Sequence, residues 1–180
     1  MALYDSSTII SCIKSEDPRS DNCQLIFEDD ECIITPTVYK EVTKKKYGKD
    51  EVLKRELRES ILEHCRVYTY DDEPFSSASV DVNAFTTEIY FEWFKNVNNR
   101  KGRSWFKFEC KPSGNLEHIM NDYMIIKEAN VYAEHIGREM DFFSGDKAQT
   151  KEDCWRVYAF EMRNLGEEPM LIPHYVKPHD

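Results

Sequence analysis

The chain has 180 residues, 41% of them hydrophobic and 32% charged, which is the composition of a single folded domain with a sizeable core rather than of a disordered protein. No apolar run approaches the roughly 20 residues that a membrane span requires, and the first residues lack the regions of a secretory signal, so we expect a cytoplasmic protein that contacts no membrane. The formal net charge of −10 argues against a general nucleic-acid-binding surface, because phosphate groups repel a negatively charged protein.

The distribution of charges keeps phosphodiester binding possible, and the distribution of cysteines argues against zinc-ribbon and disulfide-rich proteins. Residues 95–111 hold six Lys or Arg and one acid, a net charge of +5, so the rest of the chain carries −15. An acidic protein with such a basic strip can still bind a phosphodiester, above all where divalent ions neutralise an acidic centre. The six cysteines contain no C-x-x-C pair, so we expect buried, reduced thiols rather than a zinc ribbon or a disulfide framework.

The first half of the chain alternates short apolar runs with helical patterns. In chain order, we expect a strand at 3–4, a helix from about 6, a strand over 31–35, a helix from 36 or 37 to about 47, an amphipathic helix over 50–65 and a strand over 66–70. Pro36 suits the first turn of its helix, because the N–H that it lacks would have no helical partner there. Glu41 then lies about one turn inside that helix.

The second half of the chain continues the same alternation. We expect a loop over 76–79, helices over 80–97, 116–135 and 153–165, and strands over 140–144 and 170–172. Gly137 and Gly166 are expected to end the helices before them, because glycine readily adopts the left-handed conformation found at helix C-termini. The last strand is expected to end before Pro173.

Short strands that alternate with helices favour parallel pairing and a three-layer α/β/α sandwich. In such folds, functional sites form outside the carboxyl ends of the strands. Asp5 and Asp146 each lie at or just past the carboxyl end of a predicted strand, so they can meet at one edge of the sheet. Two more acids, Glu41 and Asp122, lie on predicted helices, and these residues together are called the four acids below.

Carboxylates that converge on one point repel one another, so such a cluster is costly unless a cation lies among them. Oxygen ligands of this kind suit Mg²⁺ or Mn²⁺. With water in its open coordination positions, such an ion can activate a nucleophile and offset charge in a phosphoryl transition state. A cluster of the four acids would therefore indicate phosphodiester chemistry.

The four acids occur within short motifs at 3–10, 35–42, 122–129 and 141–147. In order and approximate spacing, these motifs resemble those of the PIN-domain nucleases, a family of toxin-type ribonucleases and rRNA-processing endonucleases. The resemblance covers most of the chain but not residues 74–115. We therefore expect one PIN-like domain over 1–180, with a helical, basic and aromatic insertion around 74–115.

The resemblance implies a parallel sheet of about five strands and an Mg²⁺- or Mn²⁺-dependent endoribonuclease that hydrolyses RNA phosphodiester bonds. The four acids would be its catalytic residues and would hold the metal directly or through water. Ser144 would hydrogen-bond within the site, and Ser6 would orient a carboxylate that holds metal. Besides the RNA substrate, the candidate partners are an antitoxin, a protein of a processing complex and a second copy of the chain.

Each of the four acids also has a purely structural alternative. Asp5 could cap the helix that follows it, and Asp146 could be a turn residue after Gly145. Glu41 and Asp122 could face solvent on their helices, as most lone acids do.

Two other acids are expected to lie outside the site. Glu128 follows Asp122 on the same helix but points about 120° away from it. Asp141 precedes the apolar pair of its strand, so it is expected at the start of that strand, away from the edge where Asp146 lies. The five histidines show no spacing typical of metal ligands, and no role is assigned to them.

Residues 93–108 interleave aromatic and basic side chains, a mixture that suits stacking on unpaired bases and contact with phosphates. The candidate RNA-binding residues are Arg100, Lys101, Arg103, Trp105 and Lys107. The alternative is an amphipathic hairpin or helix that packs on the core or on a second copy of the chain.

Two other functions remain open from the sequence. A catalytically silent PIN-fold protein could keep the acids and act as an RNA-binding or scaffold protein. A phosphatase or phospho-acceptor domain would also place an acid after the first strand, but these commonly carry D-x-D there. The segment Asp5-Ser6-Ser7 lacks the second aspartate.

Overall fold

A computed structural model of the protein describes residues 1–13, 31–43, 55, 59, 63–77, 115–151 and 153–177. The predicted helix over 80–97, most of the predicted helix over 50–65 and most of the predicted insertion around 74–115 lie outside these residues. So do the candidate RNA-binding residues Arg100, Lys101, Arg103, Trp105 and Lys107.

A five-stranded, all-parallel sheet forms the centre of the described structure. Its strands are β1 (Ala2–Tyr4), β2 (Cys32–Ile34), β3 (Cys65–Val67), β4 (Met140–Ser144) and β5 (Leu171–Tyr175), in the spatial order β3-β2-β1-β4-β5. All residues of β1 and β2 are buried, as is typical of parallel strands covered on both faces. The expected α/β sandwich with five parallel strands is confirmed.

Helices cover both faces of the sheet. They are α1 (Ser6–Ile13), α2 (Pro36–Thr43), α3 (Asn115–Ile136), α4 (Lys147–Thr150) and α5 (Asp153–Asn164). The strand order runs outward from β1 in both directions, and right-handed crossovers then place the connecting helices on opposite faces. Helix α1 packs against α2, α2 also packs against α3, and α3 packs against α5. No helix within the described ranges is long and apolar enough to span a bilayer.

Several predicted elements have the expected boundaries. Strand β4 matches the predicted 140–144, and α3 extends the predicted 116–135 by one residue at each end. Gly137 and Gly166 follow α3 and α5 with φ of 73° and 79°, and both donate to carbonyls of the preceding turn. The two glycines therefore end their helices as expected.

Three predictions about elements near the sheet edges were wrong. Cys65 begins β3 rather than ending a helix, and β3 ends at Val67 rather than at residue 70. Strand β5 continues through Pro173 to Tyr175. Because β5 is the last strand of the described sheet, next to β4, a proline can occupy it without removing a hydrogen bond between strands. The short helix α4 was not predicted.

Candidate acidic site

The site lies at the carboxyl edge of the sheet, where β1 and β4 are neighbours. Asp5 directly follows β1, and its backbone N–H donates to the carbonyl of Phe143 over 2.9 Å, which continues the pairing of β1 with β4. Asp146 lies two residues past the end of β4. The chain leaves β1 towards β2 on one side, whereas β4 lies on the other, so this edge is a point where the strand order reverses.

Asp5 is buried, and hydrogen bonds hold its carboxylate in place. Its Oδ2 accepts from the Ser7 N–H (3.1 Å), from the Ser7 hydroxyl and from the Ser144 hydroxyl (3.0 Å). The bond from the Ser7 N–H caps the first turn of α1. Asp5 therefore does cap the helix that follows it, as the structural alternative predicted. The bond from Ser144 fixes the same carboxylate at the edge of β4, so capping and a position in the site occur together.

Glu41 projects from α2 into this site and is half-buried. Its Oε2 accepts from the Ser6 hydroxyl (2.7 Å), and its Oε1 accepts from the Asn121 side-chain amide (2.9 Å). The Ser6 hydroxyl also lies 3.2 Å from Asp5 Oδ1, so one short side chain links the two carboxylates. Glu41 is therefore held in place rather than solvated on an exposed helix face.

Asp122 is half-buried on α3, and its Oδ1 accepts a 3.0 Å hydrogen bond from the Gln149 side-chain amide. Burial is the main reason that its pKa is raised to about 8, and repulsion from Asp5 and Asp146, with a smaller effect of Glu41, adds to the rise. The hydrogen bond from Gln149 opposes it. Asp122 thus senses the charges of the other three acids, which places all four in one electrostatic neighbourhood.

Asp146 is exposed at the rim of the site, and its backbone is anchored on both sides. Its N–H donates to the Ser144 hydroxyl over 2.9 Å, and its carbonyl accepts from the Thr150 hydroxyl over 3.1 Å. The Ser144 hydroxyl accepts from Asp146 and donates to Asp5, so it ties the ends of β4 and β1 together.

The donor set suits a hard divalent cation, because it consists of carboxylate oxygens whose mutual repulsion a cation would relieve. Within the described ranges, however, no three Asp, Glu, His or Cys side chains stand in an arrangement that holds a metal ion. The residue types therefore fit Mg²⁺ or Mn²⁺, but in the described structure no three of these carboxylates are arranged to hold the ion. Their assignment as metal ligands stays a prediction.

Three residues of the site were not anticipated from the sequence. Ser7 binds Asp5, Asn121 binds Glu41, and Gln149 binds Asp122. Asn121 and Gln149 lie on helices and belong to no spacing pattern, and Gln149 belongs to α4, a helix too short to predict. Ser7 had one usable signal, its position two residues after an N-cap aspartate.

Glu128 lies outside the site, as expected, and has a structural role at the start of α2. It is fully buried and accepts hydrogen bonds from the Thr37 N–H (3.0 Å), the Thr37 hydroxyl (2.7 Å) and the Tyr70 hydroxyl (2.6 Å). Burial raises its pKa. The carboxyl group therefore supplies an acceptor for a free N–H at the N-terminus of α2, the helix that carries Glu41.

Asp141 also lies outside the site. Its carboxylate pairs with His174 Nε2 at 2.6 Å, and the His174 ring stacks on Phe143 with the ring centres 4.7 Å apart. His174 thus connects β5 to β4 and has no contact with the four acids in the described structure.

No protein-family model matches the sequence, and no curated protein matches it significantly. Among solved structures, the chain is similar to a crystal structure of VapBC2 from Rickettsia felis bound to a DNA fragment from their promoter. The two are 12% identical, the match covers 97% of this chain and 98% of that chain, and the TM-score is 0.45. This likeness is too distant to assign the chain to a family.

Proposed function

We propose that the protein is a metal-dependent endoribonuclease of the PIN type, which hydrolyses RNA phosphodiester bonds at the four acids. The observation that carries this proposal is the proximity of acids past the ends of β1 and β4 to acids on α2 and α3, whose charges help to raise the pKa of Asp122. A fold gains no stability from such mutual repulsion. A divalent cation would explain why the cluster exists.

The four acids would hold Mg²⁺ or Mn²⁺, directly or through water. When bound there, such an ion supplies an activated water and offsets the negative charge that develops on the phosphoryl group. In the metal-free protein, Asp122 holds a proton at neutral pH, since its pKa is about 8. Gln149 donates to Oδ1, which leaves Oδ2 to carry that proton. The proton would be released on metal uptake, because ligating carboxylates must be ionised.

The residues around the acids would keep the site in one arrangement before substrate binds. Ser7 and Ser144 fix the Asp5 carboxylate, and Asn121 fixes one oxygen of Glu41. Asp146 is the exposed member of the four acids, so the substrate phosphate would approach from its side. Orientation of this kind lowers the cost of reaching the transition state.

The test is RNA cleavage in Mn²⁺ by the wild type and by Asp5→Asn and Asp146→Asn. Each variant should lose cleavage, keep its circular dichroism spectrum and melt no lower than the wild type, and EDTA should abolish the wild-type activity. Asp141→Asn is the matched control, because it makes the same change on β4 outside the site. Full activity in either site variant would refute the proposal.

The alternative function is a catalytically silent RNA-binding or scaffold protein with the same fold. This alternative is favoured because no three potential ligands among the described residues are arranged to hold a metal ion. Purified protein that binds RNA and shows no cleavage in Mn²⁺ would establish this alternative.

The proposed partners follow from the nuclease function. An antitoxin or a protein of a processing complex would regulate the enzyme by covering the carboxyl edge of the sheet, and a second copy of the chain is a further candidate. A cytoplasmic location suits an enzyme that acts on RNA. A short reading frame beside the gene, whose product inhibits cleavage when added at equal concentration, would identify the antitoxin.

A further inference from the structure

We propose that Lys147, Lys151 and Tyr175 form a phosphate-binding site for single-stranded RNA beside the four acids. The proposal rests on the proposed function in one respect, the identity of the bound strand as RNA. It is independent of the candidate RNA-binding residues between 93 and 108, which lie outside the described structure.

Both lysines lie over one aromatic ring. Lys147 Nζ is 5.5 Å and Lys151 Nζ 5.4 Å from the centre of the Tyr175 ring. Lys147 begins α4 and Lys151 follows it by one helical turn, whereas Tyr175 is the last residue of β5. The ring therefore gathers two positive charges that the chain places on one side of α4.

This group of side chains lies at the same edge of the sheet as the four acids. Lys147 directly follows Asp146, and Ser144 at the end of β4 pairs in register with Tyr175 at the end of β5. A strand whose reacting phosphate lies at Asp146 would therefore pass close to the lysines. The paired ends of β4 and β5 are separated by the spacing of neighbouring strands, about 5 Å.

Two exposed ammonium groups beside one aromatic ring can receive an anion from solvent. Two like charges one helical turn apart repel each other, and the cation–π contacts with Tyr175 offset this repulsion. Both lysines are exposed to solvent. Their charge is thus available to a phosphate that approaches from solvent.

The overall charge explains why RNA would need this contact. The protein carries −10, and the four acids add local repulsion where the substrate must bind. Lysine is a point charge without the fixed fork of arginine, and contacts to phosphate carry no sequence information. The site would therefore strengthen binding of any single strand without selecting its bases.

The experiment measures binding of a short fluorescein-labelled oligouridylate by fluorescence anisotropy in EDTA, where metal-dependent cleavage cannot occur. The double variant Lys147→Gln/Lys151→Gln should weaken binding at least about fivefold near 0.15 M salt. It should also reduce the slope of log Kd against log salt by about 0.7 for each phosphate that the variant no longer neutralises. Tyr175→Phe keeps the ring and should bind like the wild type, whereas Tyr175→Leu should weaken binding.

The matched control is Arg138→Gln/Arg163→Gln, which makes the same change in charge. Arg138 lies in the turn before β4, and Arg163 lies near the end of α5 before β5, so both are at the amino edge of the sheet. This control should change the Kd by less than about twofold, because general electrostatic attraction is weak across a screened distance. Melting temperatures confirm that every variant is folded.

The outcomes separate this proposal from the proposed function. Loss of affinity in the lysine variant, with no cleavage by the wild type in Mn²⁺, would support the phosphate site and contradict the nuclease. Unchanged affinity and salt slope in the lysine variant would overturn the phosphate site, whatever the wild type cleaves. Equal, lysine-dependent binding of duplex DNA of the same length would overturn the assignment to single-stranded RNA.

Discussion

The substitution Asp122→Asn tests whether burial and the charges of the neighbouring acids raise the pKa of Asp122 in the folded, metal-free protein. Burial, and then the charges of Asp5 and Asp146, raise the pKa of Asp122 from 3.8 to about 8 on folding. Between these two values the unfolded chain has the ionised carboxylate and the folded protein the protonated one, so folding takes up a proton. The contribution of Asp122 to stability is therefore complete below pH 4 and is lost as pH rises to 8.

The size of this effect follows from the width of that interval. Each pH unit between the two pKa values changes the free energy of unfolding by about 1.4 kcal/mol. From pH 5 to pH 8, the wild type should therefore lose about 3–4 kcal/mol through this residue alone. Asparagine carries no charge and still offers an oxygen to the Gln149 amide, so the variant should lack this loss. It should exceed the wild type in stability at pH 8.

The assay is urea unfolding of both proteins at one-unit steps from pH 5 to pH 8, in EDTA. Glu139→Gln serves as the control, because it removes one exposed carboxylate outside the site. The difference in unfolding free energy between Asp122→Asn and wild type should grow steadily with pH, and the control should show no such growth. Parallel curves for wild type and Asp122→Asn would refute the raised pKa of Asp122.

Three further predictions concern the stability of residues outside the four acids. Glu128→Ala should cost about 2–4 kcal/mol in urea unfolding, because it leaves the buried Thr37 N–H and hydroxyl without their acceptor, and a wild-type midpoint would contradict this. Burial raises the pKa of Glu161 to about 8, so its contribution to stability is lost as pH rises from about 4.5 to 8. Glu161→Gln should therefore flatten the fall in stability over that range, and an unchanged slope would exclude this role. Pro173→Ala should change the free energy of unfolding by less than about 1 kcal/mol, whereas a larger loss would show that edge placement does not explain the proline.

Local patterns predicted the parts of the fold whose signals are strong and self-contained. Strand β4 is an apolar run between a polar turn and Gly145, and α3 is a long helical pattern ended by Gly137. Pro173 misled the prediction, because a proline stops a strand only where a neighbour needs its N–H. Whether a strand lies at the edge of a sheet is a property of the whole topology.

The residues of the candidate site also differ in whether a local sequence signal could identify them. Asp5 and Asp146 could be found from their positions after strands, because parallel strands bring their carboxyl ends to one edge. Glu41 and Asp122 have no such local signal, and only the resemblance of four motifs in order selected them. Asn121 and Gln149 could not be found, since an amide on a helix becomes part of a site only through tertiary packing.

A crystal of the protein soaked in Mn²⁺ tests the central claim most directly, through the anomalous scattering of the ion. We expect an anomalous peak between Asp5 and Asp146, with oxygens of the four acids, or waters bound to them, as its ligands. The peak should disappear in Asp146→Asn crystals soaked in the same way. An anomalous map with no density among the four acids, at a Mn²⁺ concentration that supports cleavage of RNA in solution, would contradict the claim that these acids hold the metal.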